Sequence, residues 1–308
     1  MNRIPTKIVH YSDPHPLETT GGVQTFARNL RLLFEEVEYM TPNSRDVERV
    51  VRERIPVICD NQYVMRWPES YPVIGFQHGV GQVKYETIKT VRRWLTARAQ
   101  RHASERPNVL WVANSQWVAE TFKRIYGNRV DHVIYYPIDV QRFDGRLENQ
   151  DSRLILHDAR TKHKGKKPVA QLTEAFRDWK IEFLNCDNSQ VHERMRRARA
   201  FIHLSTYEGN SVVCNEAMAM NLPCMLTRVG LMQDKNRPED VFIVEVEEMF
   251  SDREKLVARF REFLTSLDRR SYNPRAWTLS NATLEIAIER WKEVMRDYGK
   301  MAGCDYVT

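Results

Sequence analysis

Residues 207–216 read YEGNSVVCNE and run on through AMAMNLPC to Cys224. Glu208 and Glu216 stand in it with seven residues between them. Just upstream, AFIHL at 200–204 is a short apolar run of strand type. Downstream, 212–220 is rich in helix formers and free of Gly and Pro until Pro223. The stretch therefore predicts a strand, a glycine-containing turn and a helix. Such a corner offers free backbone N–H groups and the positive end of a helix dipole, which suit a phosphate. Two carboxylates beside it point to hydroxyl recognition, because each accepts hydrogen bonds from vicinal hydroxyls of a sugar.

The same residues carry a resemblance. Glu208, Gly209, Glu216, Ala217, Met218, Ala219 and Pro223 fit the pattern E-G-x6-E-A-M-A-x-x-x-P. That pattern resembles the donor-site motif of glycosyltransferase family 4, a retaining family of GT-B fold. With a strand before it and a helix after it, the motif is far more specific than two spaced glutamates. The bland alternative is a pair of solvated glutamates at an ordinary strand–helix corner.

Outside the motif, the chain of 308 residues suits two domains of ordinary size. Hydrophobic residues make up 42% and charged residues 29%, the balance of a globular protein. The net charge of +6 is compatible with a phosphate-bearing ligand, nucleic acid or an anionic membrane, and alone selects none of them. The five cysteines are scattered and lack metal-ligand spacing, which reads as free thiols in a reducing compartment. The opening MNRIPTKIVHYSD has no apolar core of signal-peptide length, and no run approaches a membrane span. The expectation is a cytoplasmic protein, with peripheral attachment at the inner membrane face left open.

Taken in order, 7–11 (KIVHY) predicts a strand, and Gly21-Gly22 ends the turn-rich loop after it. Phe26, Leu30, Leu33, Phe34 and Val37 then share one helical face, predicting a helix over 23–37. The Gly-Gly resembles the family's N-terminal glycine loop across from the donor diphosphate; a plain tight turn is the alternative. Strands are expected at 56–59 and 73–76, the second running into His78. A histidine at the carboxyl end of a strand in an α/β sheet stands where ligands bind. The family has one here, near the reacting sugar.

Residues 84–106 predict one helix with Ile88, Val91, Leu95 and Ala99 turned inward. Its polar surface carries Lys84, Lys89, Arg92, Arg93, Arg98, Arg101 and Arg106 against Glu86 and Glu105. It reads as a solvated face or as a docking surface for a polyanionic acceptor, either a membrane or DNA, through Lys89, Arg92, Arg93 and Arg98. Ser115 caps a helix over 116–126 that Gly127 stops. Strands follow at 109–112 and 133–137, and YYPIDVQRF resembles a family segment that normally contains Asn-Gly.

The polar, aperiodic GRLENQDS at 145–152 suits a linker, and a second βαβ series opens at 154–156. HDARTKHKGKKP follows. Five cations in eight residues, from Arg160 to Lys167, repel one another without an anion; a plain basic surface loop is the alternative. The loop resembles the family's diphosphate-binding segment, which implies roles for Arg160, Lys164 and Gly165; the spacing is one residue short, so Lys162 is an alternative to Lys164. Further strands are expected at 180–184, 223–227 and 240–244. Helices are expected at 189–198, 253–267 and, as the last, 279–298, with Trp277 and Trp291 as anchors for the last.

The expected architecture is α/β of GT-B type: two Rossmann-like domains facing across a cleft, at 1–148 and 149–308. The C-terminal helix, at about 280–300, is expected to cross back to the first. What the resemblance implies is metal-independent glycosyl transfer with retention from a nucleotide-diphosphate sugar to an acceptor hydroxyl. The nucleotide sugar is a substrate, and no cofactor or metal is expected; Asp-x-Asp is absent from the sequence. The implied site comprises His78, Glu208, Arg160 and Lys164 for chemistry. Gly21, Gly22, Gly209, Asn210, Ser211, Val212 and Glu216 join Arg160 and Lys164 for donor binding, with Glu216 on the ribose. The acceptor is expected to be anionic, either a lipid-linked glycan or hydroxymethylated DNA of the phage DNA-modification type. No stable protein partner is expected. A sugar-nucleotide epimerase on the same fold and a non-catalytic sugar-nucleotide binding protein are the alternatives.

Overall fold

A computed structural model describes residues 3–19 and 21–306. The chain forms two compact units, residues 1–137 with 284–308, and residues 138–283. The division falls after Pro137, so the polar 145–152 segment lies inside the second unit.

The first unit is built on a parallel six-stranded sheet. Its strands are β1 (Ile4–Tyr11), β2 (Phe34–Met40), β3 (Val57–Asp60), β4 (Val73–Gln77), β5 (Val109–Ala113) and β6 (His132–Val133), in spatial order β2-β1-β3-β4-β5-β6. Every residue of β3, β4 and β5 is buried, as expected for central parallel strands covered on both faces. The Leu284–Ala302 helix completes this core. Trp291 is fully buried there, edge-on to Phe34 and stacked with Phe76. Tyr298 Oη donates to the Pro72 carbonyl (3.0 Å).

The second unit holds a parallel five-stranded sheet. Here β7 (Leu154–His157), β8 (Lys180–Phe183), β9 (Ala200–His203), β10 (Cys224–Thr227) and β11 (Phe242–Val244) lie in the order β11-β10-β9-β7-β8. The Arg253–Arg269 helix covers it with Leu256, Phe260, Phe263, Leu264 and Leu267. Each sheet reverses its strand order once, between β1 and β3 and between β7 and β9.

Three expected helices differ in the structure. The first stops at Leu33 and passes without a loop into β2, because FEEVEYM pairs in parallel with β1 from Ile4↔Phe34 to Tyr11↔Met40. Phe34 and Val37, three apart, fit the helical period, but the pairing with β1 decides the state of this stretch. The 84–106 helix is two helices, Gly81–Thr87 and Val91–Ser104. Thr90 restarts the chain as a cap whose side chain accepts from the Arg93 N–H. Its expected inward face is also reversed: Val91 and Leu95 are exposed, while Ala97, Gln100, Ala103 and Ser104 are buried. The last helix is likewise two, Arg275–Asn281 and Leu284–Ala302. Thr283 between them is drawn into a bridge with Ile138. Trp277 thus belongs to the second unit, where its indole N–H donates to the Asn236 carbonyl (2.6 Å). The strand expected over 133–137 is only the two-residue β6.

Candidate functional site

In the second unit two loops leave the carboxyl ends of β7 and β9, neighbouring strands at the point where the order reverses. In open parallel sheets that crevice is where ligands bind. The β7 loop starts with Asp158, which is buried. Its Oδ1 accepts from Arg160 Nε (2.6 Å), and its Oδ2 lies 3.3 Å from Lys164 Nζ. Lys164 Nζ is also 3.3 Å from Oε1 of Glu208 in the β9 loop. His203 Nε2 meets the same oxygen at 3.1 Å. One ammonium therefore ties the two loops together. Burial works to lower the Lys164 pKa, but Glu208 and Asp158 outweigh it and hold the pKa above the ordinary lysine value. Lys162, the alternative, is exposed.

The backbone joins the loops as well. The His163 carbonyl accepts from Thr206 N (2.8 Å) and from Ser205 Oγ (3.1 Å). Gly165 makes this approach feasible. It has φ +82°, and a Cβ there would lie on the carbonyl oxygen of Leu204. Beside it, His157 Nδ1 accepts from Ala159 N (3.1 Å), and burial lowers its pKa to about 4, so the ring is neutral at pH 7.

The motif's helix is Val212–Ala219, with Ser211 at its N-cap. Gly209, Asn210, Val212 and Glu216 are buried, and Glu208 and Ser211 are partly so. The Gly209 carbonyl accepts from Leu231 N (2.8 Å), and Gly230 at φ +53° packs against the Glu208–Gly209 backbone. A small pocket opens here. Glu208, Asn210, Ser211 and His203 form part of its wall, with Leu226, Leu231 and Met232 as apolar lining. The structure thus gathers Glu208, Asn210 and Ser211 in one wall and ties Arg160 and Lys164 to it through Asp158 and Glu208. Glu216 lies about one turn along the helix and does not line this pocket.

In the first unit, Gly21 and Gly22 open the Gly22–Leu33 helix, with the Gly21 carbonyl accepting from Thr25 N (2.8 Å). His78 follows β4. Its Nε2 is 2.7 Å from Asp60 Oδ1, and its Nδ1 is 2.5 Å from Tyr136 Oη. His10 Nε2 reaches the same Asp60 oxygen at 3.0 Å. Burial pushes the Asp60 pKa up, yet His10 and His78 outweigh it and hold the carboxyl well below the usual range. Both ring nitrogens of His78 are therefore occupied within this unit. Its backbone is fixed too, by Asn61 Oδ1 on its N–H (3.0 Å) and by Asn114 Nδ2 on its carbonyl (3.1 Å).

Sequence reading missed Asp158, His203, Asp60, His10 and Tyr136. A signal existed for two of them: VICD and LILHD each place an acid at or just past the end of an apolar strand. Among the described residues no three His, Cys, Asp or Glu side chains stand together as a metal site. No described helix is long and apolar enough to cross a membrane.

The family described as Glycosyl transferases group 1 matches residues 145–273, most of the second unit. No curated protein sequence matches the chain. Solved structures resemble it over nearly its whole length. Sucrose-phosphate synthase (tll1590) from Thermosynechococcus elongatus is 15% identical with a TM-score of 0.75, covering 95% of this chain and 98% of its own. The fold is GT-B. A glycosyltransferase from Rickettsia africae ESF-5 shares this GT-B architecture at 14% identity and a TM-score of 0.65, covering 96% and 98%. Anabaena Alr3699/HepE, solved in complex with UDP-glucose, matches at 14% and 0.63, covering 94% and 99%.

Proposed function

We propose that this chain is a glycosyltransferase that moves a sugar from a nucleotide-diphosphate sugar to an acceptor hydroxyl, with retention at the anomeric carbon and without a metal. The observation that carries the reading is the joined pair of loops at the β7/β9 reversal, where Asp158 holds Arg160 and Lys164 and Lys164 reaches on to Glu208, just before the motif helix. As the bond to the sugar breaks, the anomeric carbon becomes cationic and the diphosphate gains charge. Arg160 and Lys164 stabilise that leaving group, helped by the backbone amides from Gly209 to Val212. Asp158 orients both cations. Glu208 contacts the transferred sugar, and Glu216 accepts hydrogen bonds from the ribose hydroxyls. Gly21, Gly22 and His78 handle substrate in the first unit, at the carboxyl ends of its strands. With both ring nitrogens occupied, His78 acts there through its fixed position rather than as a free base. The acceptor is anionic, matching the cations at Lys89, Arg92, Arg93 and Arg98.

The HepE complexes make UDP-glucose the first donor to try in a panel of nucleotide sugars. A bound donor raises the melting temperature by mass action. One member of the panel should stabilise the protein, and Glu216→Ala should weaken that donor at least tenfold, because losing a charge-assisted contact costs about 1.5–3 kcal/mol. Unchanged affinity in the folded variant would remove the ribose assignment. Turnover in EDTA should match turnover without it. Conversion of the free nucleotide sugar without any acceptor would point to an epimerase instead.

A further inference from the structure

The Val91–Ser104 helix is turned inside out relative to its composition. Its buried side is small and polar: Ala97, Gln100, Ala103 and Ser104. Gln100 is held there by Gly81 N and Tyr126 Oη, both on its Oε1. Its apolar side faces outward. Val91 is 75% exposed, Trp94 40% and Leu95 54%. These three fall at i, i+3 and i+4, and Arg98 at i+7 continues the same face, its guanidinium 4.9 Å over the Trp94 ring. Lys89 just before the helix and Arg92, Arg98 and Arg101 within it are all exposed, Arg101 with its guanidinium 5.7 Å over the Tyr126 ring, and among the described residues none forms an ion pair with a carboxylate. The nearby acids are engaged elsewhere: Glu86 accepts from Gln82, and Glu105 lies by His102.

We infer that the exposed face of this helix, Val91, Trp94 and Leu95 together with the cations Lys89, Arg92, Arg98 and Arg101, docks on an anionic lipid bilayer. Cations alone suit any polyanion, duplex DNA included. The apolar centre separates the two. Phosphate backbone offers nothing to Val91 and Leu95, whereas a bilayer interface accepts their side chains below the headgroups and favours tryptophan at that depth. The cations stay at the level of the lipid phosphates, with the arginine and lysine stems lying over the apolar spot. The inference deepens the anionic-acceptor reading and rests on it only for why a transferase would dwell at a bilayer.

The test uses the full chain and sedimentation with vesicles of neutral phosphatidylcholine, or of the same lipid with about one third phosphatidylglycerol. Anionic vesicles should bind at least tenfold more tightly than neutral ones at 0.1 M salt. The triple variant Val91→Ser, Trp94→Ser, Leu95→Ser should lose at least tenfold while keeping its circular dichroism and melting temperature, since all three side chains are exposed. Arg92→Gln with Arg98→Gln and Arg101→Gln should lose binding by roughly fivefold per charge and remove most of the salt dependence. Trp94→Phe should abolish the blue shift of tryptophan emission on adding vesicles. Absence of binding to anionic vesicles, full binding by the serine variant, or salt-sensitive binding to duplex DNA in place of vesicles would each overturn the inference. Nucleotide-sugar stabilisation, measured on the same preparation, reports on the transferase reading separately.

Discussion

At the residue scale, the candidate site turns on how two cations share one carboxylate. Asp158 is buried, and through its two oxygens it holds Arg160 and Lys164 at fixed positions. The two cations nevertheless differ in what they support. Arg160 has a side chain 48% exposed and contacts Asp158 at the edge of the loop. Lys164 is more enclosed and also neutralises Glu208. Arg160→Ala should therefore leave stability within about 1 kcal/mol, as for an exposed ion pair. It should still lower kcat on the order of a hundredfold, because it removes a group that stabilises charge developing on the leaving diphosphate. Lys164→Ala should lower kcat similarly and also cost roughly 1–3 kcal/mol of folding stability, since buried Asp158 and partly buried Glu208 lose the one cation they share. Urea denaturation beside steady-state kinetics separates the two. Equal stability losses would mean that the bridge between Asp158 and Glu208 carries no structural weight.

At the scale of elements, the decisive contact joins the 158–165 loop to the end of β9. Strand periodicity announced β7 and β9, and the EGNSVVCNEAMA pattern announced the helix after them; those are local signals. Their juxtaposition is not local. It needs Gly165 in the left-handed region against the Leu204 carbonyl and the His163 carbonyl shared by Ser205 and Thr206. Asp158 and His203 escaped notice for the same reason, since each gains meaning only from a side chain on the neighbouring loop. The basic helix failed differently. Val91, Leu95 and Ala99 repeat as a core face would, but Gln100 packs inward with Ala97, Ala103 and Ser104, because Tyr126 and the Gly81 N–H satisfy its amide oxygen. Gly165→Ala tests the loop contact. The variant combines a strained φ with a collision against backbone that cannot swing aside, so it should lose more than about 1 kcal/mol, the ordinary cost of a misfitting Gly-to-Ala change. Donor binding should weaken with it, as Lys164 moves from Glu208. A Gly165→Ala protein with unchanged melting temperature and donor affinity would show that the loops do not depend on this approach.

At the scale of the molecule, the first unit is assembled from two distant parts of the sequence. Its sheet is legible in the apolar runs VICD, VIGFQ and VLWVA, each short and fully buried. Amphipathic spacing also revealed the C-terminal helix, but periodicity could not reveal that Thr283 breaks it, because the break comes from a bridge to Ile138, far away in sequence. After that break, Trp291 fills the space between Phe34 and Phe76, so residues late in the chain finish a core begun at β2 and β4. Truncating a fully buried tryptophan costs about 3–5 kcal/mol. Trp291→Ala should take that much from the first unit while leaving the second intact, since the indole touches only first-unit aromatics among its ring contacts. Native-state hydrogen exchange reads the units separately. Amides of β3 and β4 should lose protection by a factor of a hundred or more, the exchange equivalent of about 3 kcal/mol. Amides of β9 and β10 should exchange as in the parent protein. Equal acceleration in both sheets would mean that the two units unfold as one cooperative body, and that Trp291 supports the whole chain rather than the first core.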